Sequence, residues 1–317
     1  MKAILVEEFG TAAVLKMTER PVPQLNDNQL LIEQFATSIN PSDWKKRGGE
    51  WGGKLPFIPG NDAAGIIRKV GPAVTSFKPG DRVMANASAA YAEYAVARES
   101  VTGLLPETIP FTEAAGFPLA GQTAYQALVE IGKLQKGESV LIHAGAGGVG
   151  TLAIQTAKLI GAEVITTTSK ENEMFLYALG ADEVIDYRGK KFEEEMAPVD
   201  LVLDPIGGNV QKRSMKVLKN GGRLVTLAGL QEEVVENNKE EQRFQLYDFS
   251  MKPNAKGMIF LARYLKEGKL RTFVQEIFPF TEVAIQQAQK LSEQGHVRGK
   301  LVIEIKEETI HLLERPS

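Results

Sequence analysis

Cysteine is absent from the 317 residues, so the chain has neither disulfides nor thiolate metal sites. No apolar run approaches the roughly 20 residues that a transmembrane helix needs. The formal net charge is -3, so the basic excess typical of nucleic-acid binding is also missing. Acidic residues follow the first strand too early for a secretory signal peptide. Together these absences favour a cytoplasmic protein that binds neither nucleic acid nor membrane.

The stretch from Val140 to Gly150 has the pattern of a buried strand, a tight glycine turn and the start of a helix. Its glycines match G-x-G-x-x-G, and Ala144 begins an overlapping A-x-x-G-x-x-G. In dinucleotide-binding folds such glycines permit a sharp turn, close approach to a pyrophosphate and tight helix–strand packing. The alternative is a simple tight connection. We expect a phosphate-binding turn made of Ala144, Gly145, Gly147, Gly148, Val149 and Gly150.

The pattern of secondary structure changes near Gly121. Before it, short strands alternate with glycine and proline turn signals, which predicts a β-barrel-like domain. After it, strands alternate with helices, which predicts a parallel sheet of βαβ units. The polar, acidic residues 231–242 are predicted to form an exposed loop, followed by a strand at Phe244–Phe249. The C-terminal residues return to mixed short elements.

The second strand of the predicted parallel sheet, Glu163–Thr168, ends without a carboxylate. An acidic residue at that position binds the ribose 2′-hydroxyl of NAD, whereas a cation there suits the 2′-phosphate of NADP. Here Thr168 and Ser169 precede Lys170, and Tyr187 with Arg188 follows the third strand. The alternative for Lys170 is an ordinary solvated charge. This end of the strand therefore favours NADPH over NADH.

Several segments occur in the order found in one known family: Asn40–Asp43, Pro59–Gly65, Gly80–Val83, Ala120–Ala124, Ala144–Gly150, Asp204–Gly208 and Gly295–Lys300. Through them the chain resembles the zinc-independent, quinone oxidoreductase-like branch of the medium-chain dehydrogenase/reductase superfamily. The resemblance implies an α/β fold with a Rossmann doubly wound parallel sheet in residues 121–257. Residues 1–120 and 258–317 would form a catalytic domain with a chaperonin-10-like β-barrel. It also implies a homodimer joined through the edge of the cofactor sheet, for which Phe244–Phe249 is a candidate strand.

Zinc-containing relatives carry a Gly-His-Glu stretch and a cysteine ligand, whereas this chain has Gly60-Asn61-Asp62 and no cysteine. The three histidines, His143, His296 and His311, do not have metal-ligand spacing. We expect His143 to be a buried histidine with satisfied hydrogen bonds. A catalytic zinc needs three protein ligands and an open position, so we predict no metal site.

The resemblance also implies roles for residues outside the glycine turn. Asn40 would lie beside nicotinamide and substrate, with Asp43 and Trp44 lining the substrate cleft. Further cofactor-binding positions would be Thr123, Ala228, Gly229, Arg298, Gly299 and Lys300. From the residues alone, Asn40-Pro41 is also compatible with a turn, although a functional role for Asn40 is favoured, and Asp43 is equally compatible with a helix cap and Trp44 with packing. The alternative for Lys300 is a surface charge.

Without a metal Lewis acid, a quinone or an α,β-unsaturated carbonyl is the easier hydride acceptor. The protein then needs only to orient the partners and stabilise charge on the carbonyl oxygen. We therefore expect an NADPH-dependent oxidoreductase that acts on quinones or enones without zinc. One alternative is an enoyl-thioester reductase, although the tyrosine that such relatives carry after the Asn-Pro segment is missing between Asn40 and Gly65. The other alternative is an NADPH-binding protein without turnover.

Overall fold

The computed structural model describes residues 1–241 and 243–308 and divides into two compact units. The first contains residues 1–118, 276–295 and the described tail from residue 301, and the second contains residues 119–275 and 296–300. The domain boundaries expected at residues 120 and 258 remain a prediction, which the division into these two units does not test. Residues 309–317, with His311, lie outside the described residues. In the described ranges no helix has the length and apolar character needed to cross a membrane.

Short strands and two short helices make up the N-terminal part of the first unit. They are β1 (Lys2–Val6), β2 (Leu15–Glu19), β3 (Gln29–Ser38), α1 (Pro41–Arg47), β4 (Asp62–Val70), β5 (Arg82–Ser88), β6 (Tyr94–Leu104) and α2 (Phe111–Ala114). Proline and glycine separate them, as at Pro79-Gly80, where Gly80 has a φ of 95° that favours glycine. Helix α1 begins at Pro41, whose fixed φ suits the first helical position.

Helices and strands alternate through the second unit. They are α3 (Pro118–Tyr125), β7 (Ser139–Ile142), α4 (Gly148–Ile160), β8 (Glu163–Thr168), α5 (Glu173–Ala178), β9 (Glu183–Asp186), α6 (Phe192–Glu195), β10 (Val199–Asp204), α7 (Gly208–Ser214), β11 (Leu218–Thr226), α8 (Glu232–Glu241), β12 (Gln245–Asp248) and α9 (Ala255–Lys266). The chain then forms β13 (Val274–Pro279), α10 (Glu282–Gln294) and β14 (Lys300–Glu304). A π-helical turn, Gln126–Ile131, continues α3.

The sheet of the first unit closes on itself. Its strand order is β13-β14-β3-β4-β5-β6, and an additional antiparallel pairing joins β3 to β6. The closed part encloses an apolar core that includes Leu30, Ile32, Ile67 and Val83. This arrangement confirms the predicted barrel.

Strands β3 and β4 approach closely because Gly65 has no side chain. A Cβ atom at Gly65 would collide with the backbone oxygen of Glu33 on β3. The register of the two strands brings the end of β3, at Ser38, next to the start of β4, at Asp62, and their side chains are hydrogen-bonded. The missing side chain therefore helps to position a polar cluster described below.

The sheet of the second unit is parallel, with the order β12-β11-β10-β7-β8-β9. This is the doubly wound order, in which the direction of strand addition reverses between β7 and β10. Its core includes Leu141, Ile165, Val202 and Leu224. The predicted parallel sheet of βαβ units is confirmed. Ligands in such sheets bind outside the carboxyl ends of the strands at the reversal point.

The acidic segment predicted as a loop is instead largely helical, as α8. Glutamate and lysine are good helix formers, and Val234 is buried, so the segment has an apolar side that its polar composition conceals. Residue 242 lies outside the described residues. Strand β12 follows at the edge of the sheet, within the predicted Phe244–Phe249.

We expect Gly65→Ala to destabilise the protein by about 2 kcal/mol or more, because the new methyl group forces the backbones of β3 and β4 apart. The free energy of unfolding from urea titration measures this. Gly189→Ala is the matched control, since a Cβ there makes only ordinary contact, 3.5 Å from Asp186 Oδ2. Equal stability of the two variants would contradict the close-approach explanation.

Candidate functional site

The glycine turn joins β7 to α4 by a path that requires unusual backbone angles. Ala144 has a φ of 52°, and the amide of Gly147 donates to the carbonyl of Ala144 at 3.0 Å. Gly147 is the N-cap of α4, a helix of 13 residues. The first amides of such a helix have no partner within the helix, and its N-terminus carries partial positive charge. The turn therefore presents a site suited to an anion.

Two glycines of the turn are required by packing. A Cβ at Gly145 would collide with the Thr166 hydroxyl on β8, and one at Gly150 would collide with the carbonyl of Ala144. At Gly147 a Cβ would meet only the Ala144 oxygen, at 3.3 Å. Gly145 and Gly150 thus let α4 pack against the sheet, while the Cβ contact at Gly147 is tight but less severe.

A cavity of about 840 Å³ lies against this turn, within the second unit. Its wall includes Ala144, Ala146 and Gly147 from the turn, Thr167–Ser169 from the end of β8, and Tyr187 after β9. Residues His296–Arg298 complete another side. The volume falls in the range of small-molecule and cofactor sites. A helix N-terminus and hydroxyl groups along this cavity fit the phosphates and sugar of a dinucleotide.

The cavity brings together only some of the predicted cofactor residues. Ala144, Gly147, Thr168, Ser169, Tyr187 and Arg298 line it. Lys170, Thr123, Gly145, Gly148, Val149, Gly150, Ala228, Gly229, Gly299 and Lys300 are not among its lining residues. Of these, Gly299 forms a parallel bridge with Gly147, and the side chain of Lys300 lies against Gly148. Gly299 and Lys300 therefore lie beside the turn.

Three other predicted residues have local contacts. The Thr123 hydroxyl donates to the Leu119 carbonyl at 2.7 Å, within α3. The Gly229 carbonyl accepts from Gln211 Nε2 at 3.1 Å, and the Ala228 amide donates to the Thr226 hydroxyl at 3.2 Å. The contacts of Gly229 and Ala228 shape the segment after β11.

Charged groups surround the end of β8. Glu171 lines the cavity and pairs with Arg188, Oε1 to Nη1, at 3.2 Å. Its pKa is below the usual value, chiefly through its own backbone amide, with Ser169 and Arg188 also contributing. The Arg298 guanidinium donates to Asn172 Oδ1 at 2.7 Å and to the Glu171 carbonyl at 3.1 Å. Arg298 thus ties its loop to the segment after β8.

His143 is buried at the end of β7 and hydrogen-bonded through both ring nitrogens, to Thr167 at 2.9 Å and to Ser214 at 2.8 Å. The Ser214 hydroxyl donates its proton to the Val210 carbonyl, so it accepts from Nε2–H of His143, while Nδ1 accepts from Thr167. Burial lowers the pKa of His143 to about 4. The ring is therefore neutral at pH 7 and has the satisfied contacts expected from the sequence.

In the first unit, Asn40 and Asp43 form a capping box at the start of α1. Asp43 Oδ2 accepts from the Asn40 amide at 2.9 Å, and Oδ1 accepts from Asn61 Nδ2 at 3.0 Å. Asn40 Nδ2 donates to Asp62 Oδ2 at 2.7 Å. Asn40 and Asp43 are each 2% exposed and Asp62 is 0% exposed. We call Asn40, Asp43, Asn61 and Asp62, with Ser38 and Tyr91, the buried polar cluster.

Tyr91 is a member of this cluster that the sequence analysis missed. Its hydroxyl donates to Asp43 Oδ2 at 2.8 Å. Burial, reinforced by the Asp43 carboxylate, raises the pKa of Tyr91 well above its usual value, so the phenol keeps its proton. Room for the ring comes from Gly60, where a Cβ would lie 2.5 Å from Tyr91 Cδ1. No sequence pattern connects Tyr91 with Asp43, which lies 48 positions earlier in the chain. Gly60, however, lies in one of the segments through which the chain resembles the family.

Trp44 and Arg47, on α1, turn toward α10. The Trp44 indole donates to the Ser292 hydroxyl at 3.1 Å. Buried Arg47 binds Gln289 Oε1 at 2.5 Å, the Gly10 carbonyl at 3.1 Å and the Glu293 carboxylate. The C-terminal helix therefore fixes the orientation of α1 in this unit.

The Asn61–Asp62 positions have hydrogen-bonding roles. Asn61 donates to Asp43, and Asp62 accepts from Asn40 and from Ser38 Oγ at 2.5 Å. Within residues 1–241 and 243–308, no three His, Asp or Glu side chains are grouped so as to hold a metal ion. The side chains that replace His and Glu thus take part in a hydrogen-bonded cluster.

Two family models match the chain. The alcohol dehydrogenase GroES-like domain matches residues 26–136, and the model described as zinc-binding dehydrogenase matches residues 179–303. Together they cover parts of both compact units. The name of the second model refers to the family as a whole. It says what this chain is similar to and assigns no metal to it.

Known proteins match over nearly the whole chain. The chloroplastic NADPH-dependent alkenal/one oxidoreductase of Arabidopsis thaliana is 35% identical over 96% of this chain and 79% of its own length. The solved quinone oxidoreductase of Coxiella burnetii is 38% identical, with a TM-score of 0.88 over 96% of this chain and 99% of its own. The Escherichia coli quinone oxidoreductase, solved with NADPH, is 26% identical, with a TM-score of 0.87 over 96% and 100%.

The pKa of His143 generates a pH prediction. Because the unfolded histidine, with a pKa of 6.5, takes up a proton before the folded one does, stability falls as pH drops from 6.5 toward 4. At pH 5 we expect His143 to account for a loss of about 2 kcal/mol relative to pH 7.5. Urea unfolding at both pH values measures the loss.

His143→Gln should lack this part of the pH dependence, although it is less stable at pH 7.5 because it loses buried hydrogen bonds. His296→Gln, which replaces an exposed ring, is the control and should keep the full decline. A decline in His143→Gln as steep as in the unmodified protein would show that His143 is not responsible.

Proposed function

The chain belongs to the quinone oxidoreductase-like family of the medium-chain dehydrogenase/reductase superfamily and is an oxidoreductase, and from this premise we propose its reaction. The proposed reaction is transfer of hydride from NADPH to a quinone or an α,β-unsaturated carbonyl compound, without zinc. The names of the relatives support this class of acceptor, since they include an alkenal/one oxidoreductase and quinone oxidoreductases.

The observation that carries the proposal is the cavity beside the glycine turn. It combines a helix N-terminus, Gly147 and the hydroxyl-rich end of β8 in one cavity. These are the groups that bind the phosphates and ribose of a dinucleotide. We propose that the turn residues hold the pyrophosphate and that Thr168, Ser169 and Tyr187 hold the adenosine side. Thr123, Ala228, Gly229, Gly299 and Lys300 stay proposed cofactor residues.

The preference for NADPH rests on charge at the end of β8. Residues Thr167–Ser169 provide hydroxyls there, and the Glu171 carboxylate is compensated by Arg188. A carboxylate paired with a cation repels a 2′-phosphate less than an unpaired carboxylate does. Lys170 follows the end of β8 in the sequence, and Arg298 brings a second positive charge there through its contacts with Asn172 and the Glu171 carbonyl. The Escherichia coli relative was solved with NADPH, which supports the same preference.

When bound, the nicotinamide supplies the hydride. The protein has to orient the acceptor and stabilise the charge that develops on its carbonyl oxygen. We propose that Asn40 lies at the acceptor, with Asp43 and Trp44 shaping its surroundings. The buried Tyr91 phenol donates to Asp43, and its raised pKa makes it a poor proton donor. We therefore propose solvent or a ribose hydroxyl as the source of the proton.

The absence of zinc from the mechanism is proposed from the donor groups. Asn61 and Asp62 stand where zinc-containing relatives have His and Glu, and both are hydrogen-bonded within the buried polar cluster. An amide is a poor zinc ligand compared with imidazole or thiolate. A quinone or an enone, which is already electron-poor, is the acceptor class that such a site suits.

We also propose a homodimer joined along β12. This strand lies at the edge of the parallel sheet, and a sheet edge presents unpaired backbone groups that proteins normally cover. A second copy of the chain would supply that cover. The cytoplasmic location expected from the sequence stays a prediction.

A panel of acceptors tests the proposed reaction. NADPH and NADH are supplied in parallel with quinones, enones, enoyl thioesters and saturated ketones, and cofactor oxidation is followed by absorbance. We expect turnover with quinones or enones and a kcat/KM about tenfold or more higher with NADPH, because a charge-assisted contact contributes roughly 1.5 kcal/mol or more. A metal chelator should leave the rate unchanged.

Asn40→Ala should lower kcat/KM while binding of NADPH, measured by fluorescence, stays the same. Preferred reduction of enoyl thioesters would instead support a thioester reductase. If NADPH binds and no acceptor in the panel is reduced, the proposed reaction is wrong.

Sedimentation velocity tests the dimer. We expect the protein to have twice the mass of one chain, and Tyr247→Lys to give monomers because a lysine in an edge strand opposes strand pairing. The matched control is Tyr177→Lys, at an exposed tyrosine of α5. A monomeric unmodified protein, or a dimer that survives Tyr247→Lys, would contradict pairing through β12.

A further inference from the structure

We propose that Asp62 is a positioning residue that sets the orientation of the Asn40 side chain, an inference that rests on the proposed role of Asn40 at the acceptor. Asp62 begins β4, and Asn40 precedes α1 by one residue. Neither residue is close to the other in sequence. Their contact is made by the closing of the barrel, where β3 and β4 pair.

Two donors from separate elements hold the Asp62 carboxylate, and a third holds its backbone. Its Oδ2 accepts from Asn40 Nδ2 at 2.7 Å and from Ser38 Oγ at 2.5 Å. The backbone oxygen of Asp62 accepts from the Thr37 hydroxyl at 2.6 Å. Because its donors come from β3 and from the N-cap of α1, and because Asp62 is 0% exposed, the carboxylate has little freedom to move. It is a fixed acceptor.

A fixed acceptor determines which end of the Asn40 amide faces it. Asp62 Oδ2 accepts hydrogen bonds from Ser38 Oγ and Asn40 Nδ2, so it requires the NH₂ end of the Asn40 amide. The capping box requires the oxygen end at the start of α1. A flipped amide would place its oxygen against the carboxylate and its NH₂ against the first amides of the helix. Both contacts would then be repulsive.

The backbone of Asn40 is fixed by the second carboxylate of the cluster. Its amide donates to Asp43 Oδ2, which Tyr91 also contacts, while Asn61 binds the other oxygen of Asp43. Asp43 therefore positions the main chain of Asn40, and Asp62 positions its side chain. Preorganisation of this kind lets an active-site group contribute without reorganising during the reaction.

An aspartate at position 62 has a consequence that an asparagine would not have. An asparagine can present either its oxygen or its NH₂ to Asn40, so residue 62 would no longer select one orientation of the Asn40 amide, and only the capping box would oppose the flip. Asp62→Asn keeps the shape of the side chain, but it replaces an acceptor-only carboxylate by an amide that can also donate to Ser38 and Asn40. It is therefore the variant that separates orientation from simple packing.

The test is a double-mutant cycle of Asp62→Asn and Asn40→Ala, measured as kcat and KM with the best acceptor from the panel. We expect Asp62→Asn to lower kcat by about tenfold, equivalent to roughly 1.4 kcal/mol, with the NADPH dissociation constant unchanged within about twofold. If Asp62 acts through Asn40, the double variant should have the kcat of Asn40→Ala alone. Losses that multiply in the double variant would overturn the proposal.

Thr37→Val is the matched control, because Thr37 is a buried hydroxyl that contacts the backbone of Asp62 rather than its carboxylate. Its kcat should match the unmodified protein. If Asp62→Asn does not fold, as judged by thermal unfolding, Ser38→Ala takes its place in the cycle. That variant removes a donor to the same carboxylate oxygen, and its kcat loss should likewise vanish in the Asn40→Ala background.

A second readout does not depend on turnover. With ¹⁵N-asparagine labelling, the Asn40 Nδ2 protons should exchange slowly with solvent in the unmodified protein and about tenfold or more faster in Asp62→Asn. Equal exchange rates would overturn the positioning role. If the unmodified protein reduces no acceptor, the proposed function fails, and the exchange measurement still decides whether Asp62 holds Asn40.

Discussion

The missing side chains of Gly145 and Gly150 are the constraint on which the second unit depends. They let the first turn of α4 lie against β7 and β8, where any Cβ would meet the Thr166 hydroxyl or the Ala144 carbonyl. Because the helix sits this close, its N-terminus opens directly onto the carboxyl ends of the strands, where the cavity lies. Larger residues would displace the helix and with it the anion site. The phosphate-binding potential of the turn is therefore a result of packing as much as of backbone flexibility.

A similar dependence on close packing runs through the first unit. Gly65 lets β3 and β4 approach, and Gly60 leaves room for the Tyr91 ring. Because Gly65 and Gly60 lack side chains, Asp62 can bind Ser38 and Asn40, and Tyr91 can bind Asp43. Burying two carboxylates is unfavourable unless donors satisfy them. The hydroxyls and amides of the cluster are such donors. Because losing a donor would leave a buried carboxylate with fewer hydrogen bonds, the geometry of the cluster is tightly constrained.

The sequence predicted the parallel sheet, the barrel and the glycine turn because each depends on local patterns. Glycine spacing marks the turn, and alternation of apolar runs with helical segments marks the βαβ units. It did not predict α8, because buried Val234 is a weak signal within an acidic segment. Nor did it predict Tyr91, whose contact with Asp43 joins residues 48 positions apart in the chain. Lys170, singled out from the sequence, does not line the cavity, whereas Glu171 beside it does. Side-chain direction within one turn is not encoded in spacing alone.

The buried polar cluster also bears on how a barrel of this kind can work without zinc, as proposed. A metal ion organises a site by binding several ligands at once, and it polarises a carbonyl as a Lewis acid. Asp62 and Asp43 reproduce the first function, since each carboxylate gathers donors from separate elements and fixes their positions. Hydrogen bonds cannot match the second function, because they stabilise developing charge more weakly than a divalent cation does. Without a Lewis acid, the acceptor itself has to be electron-poor enough to take up hydride. On the proposed zinc-free mechanism, Asn61 and Asp62 organise the site through hydrogen bonds, and this mechanism favours acceptors that are already activated.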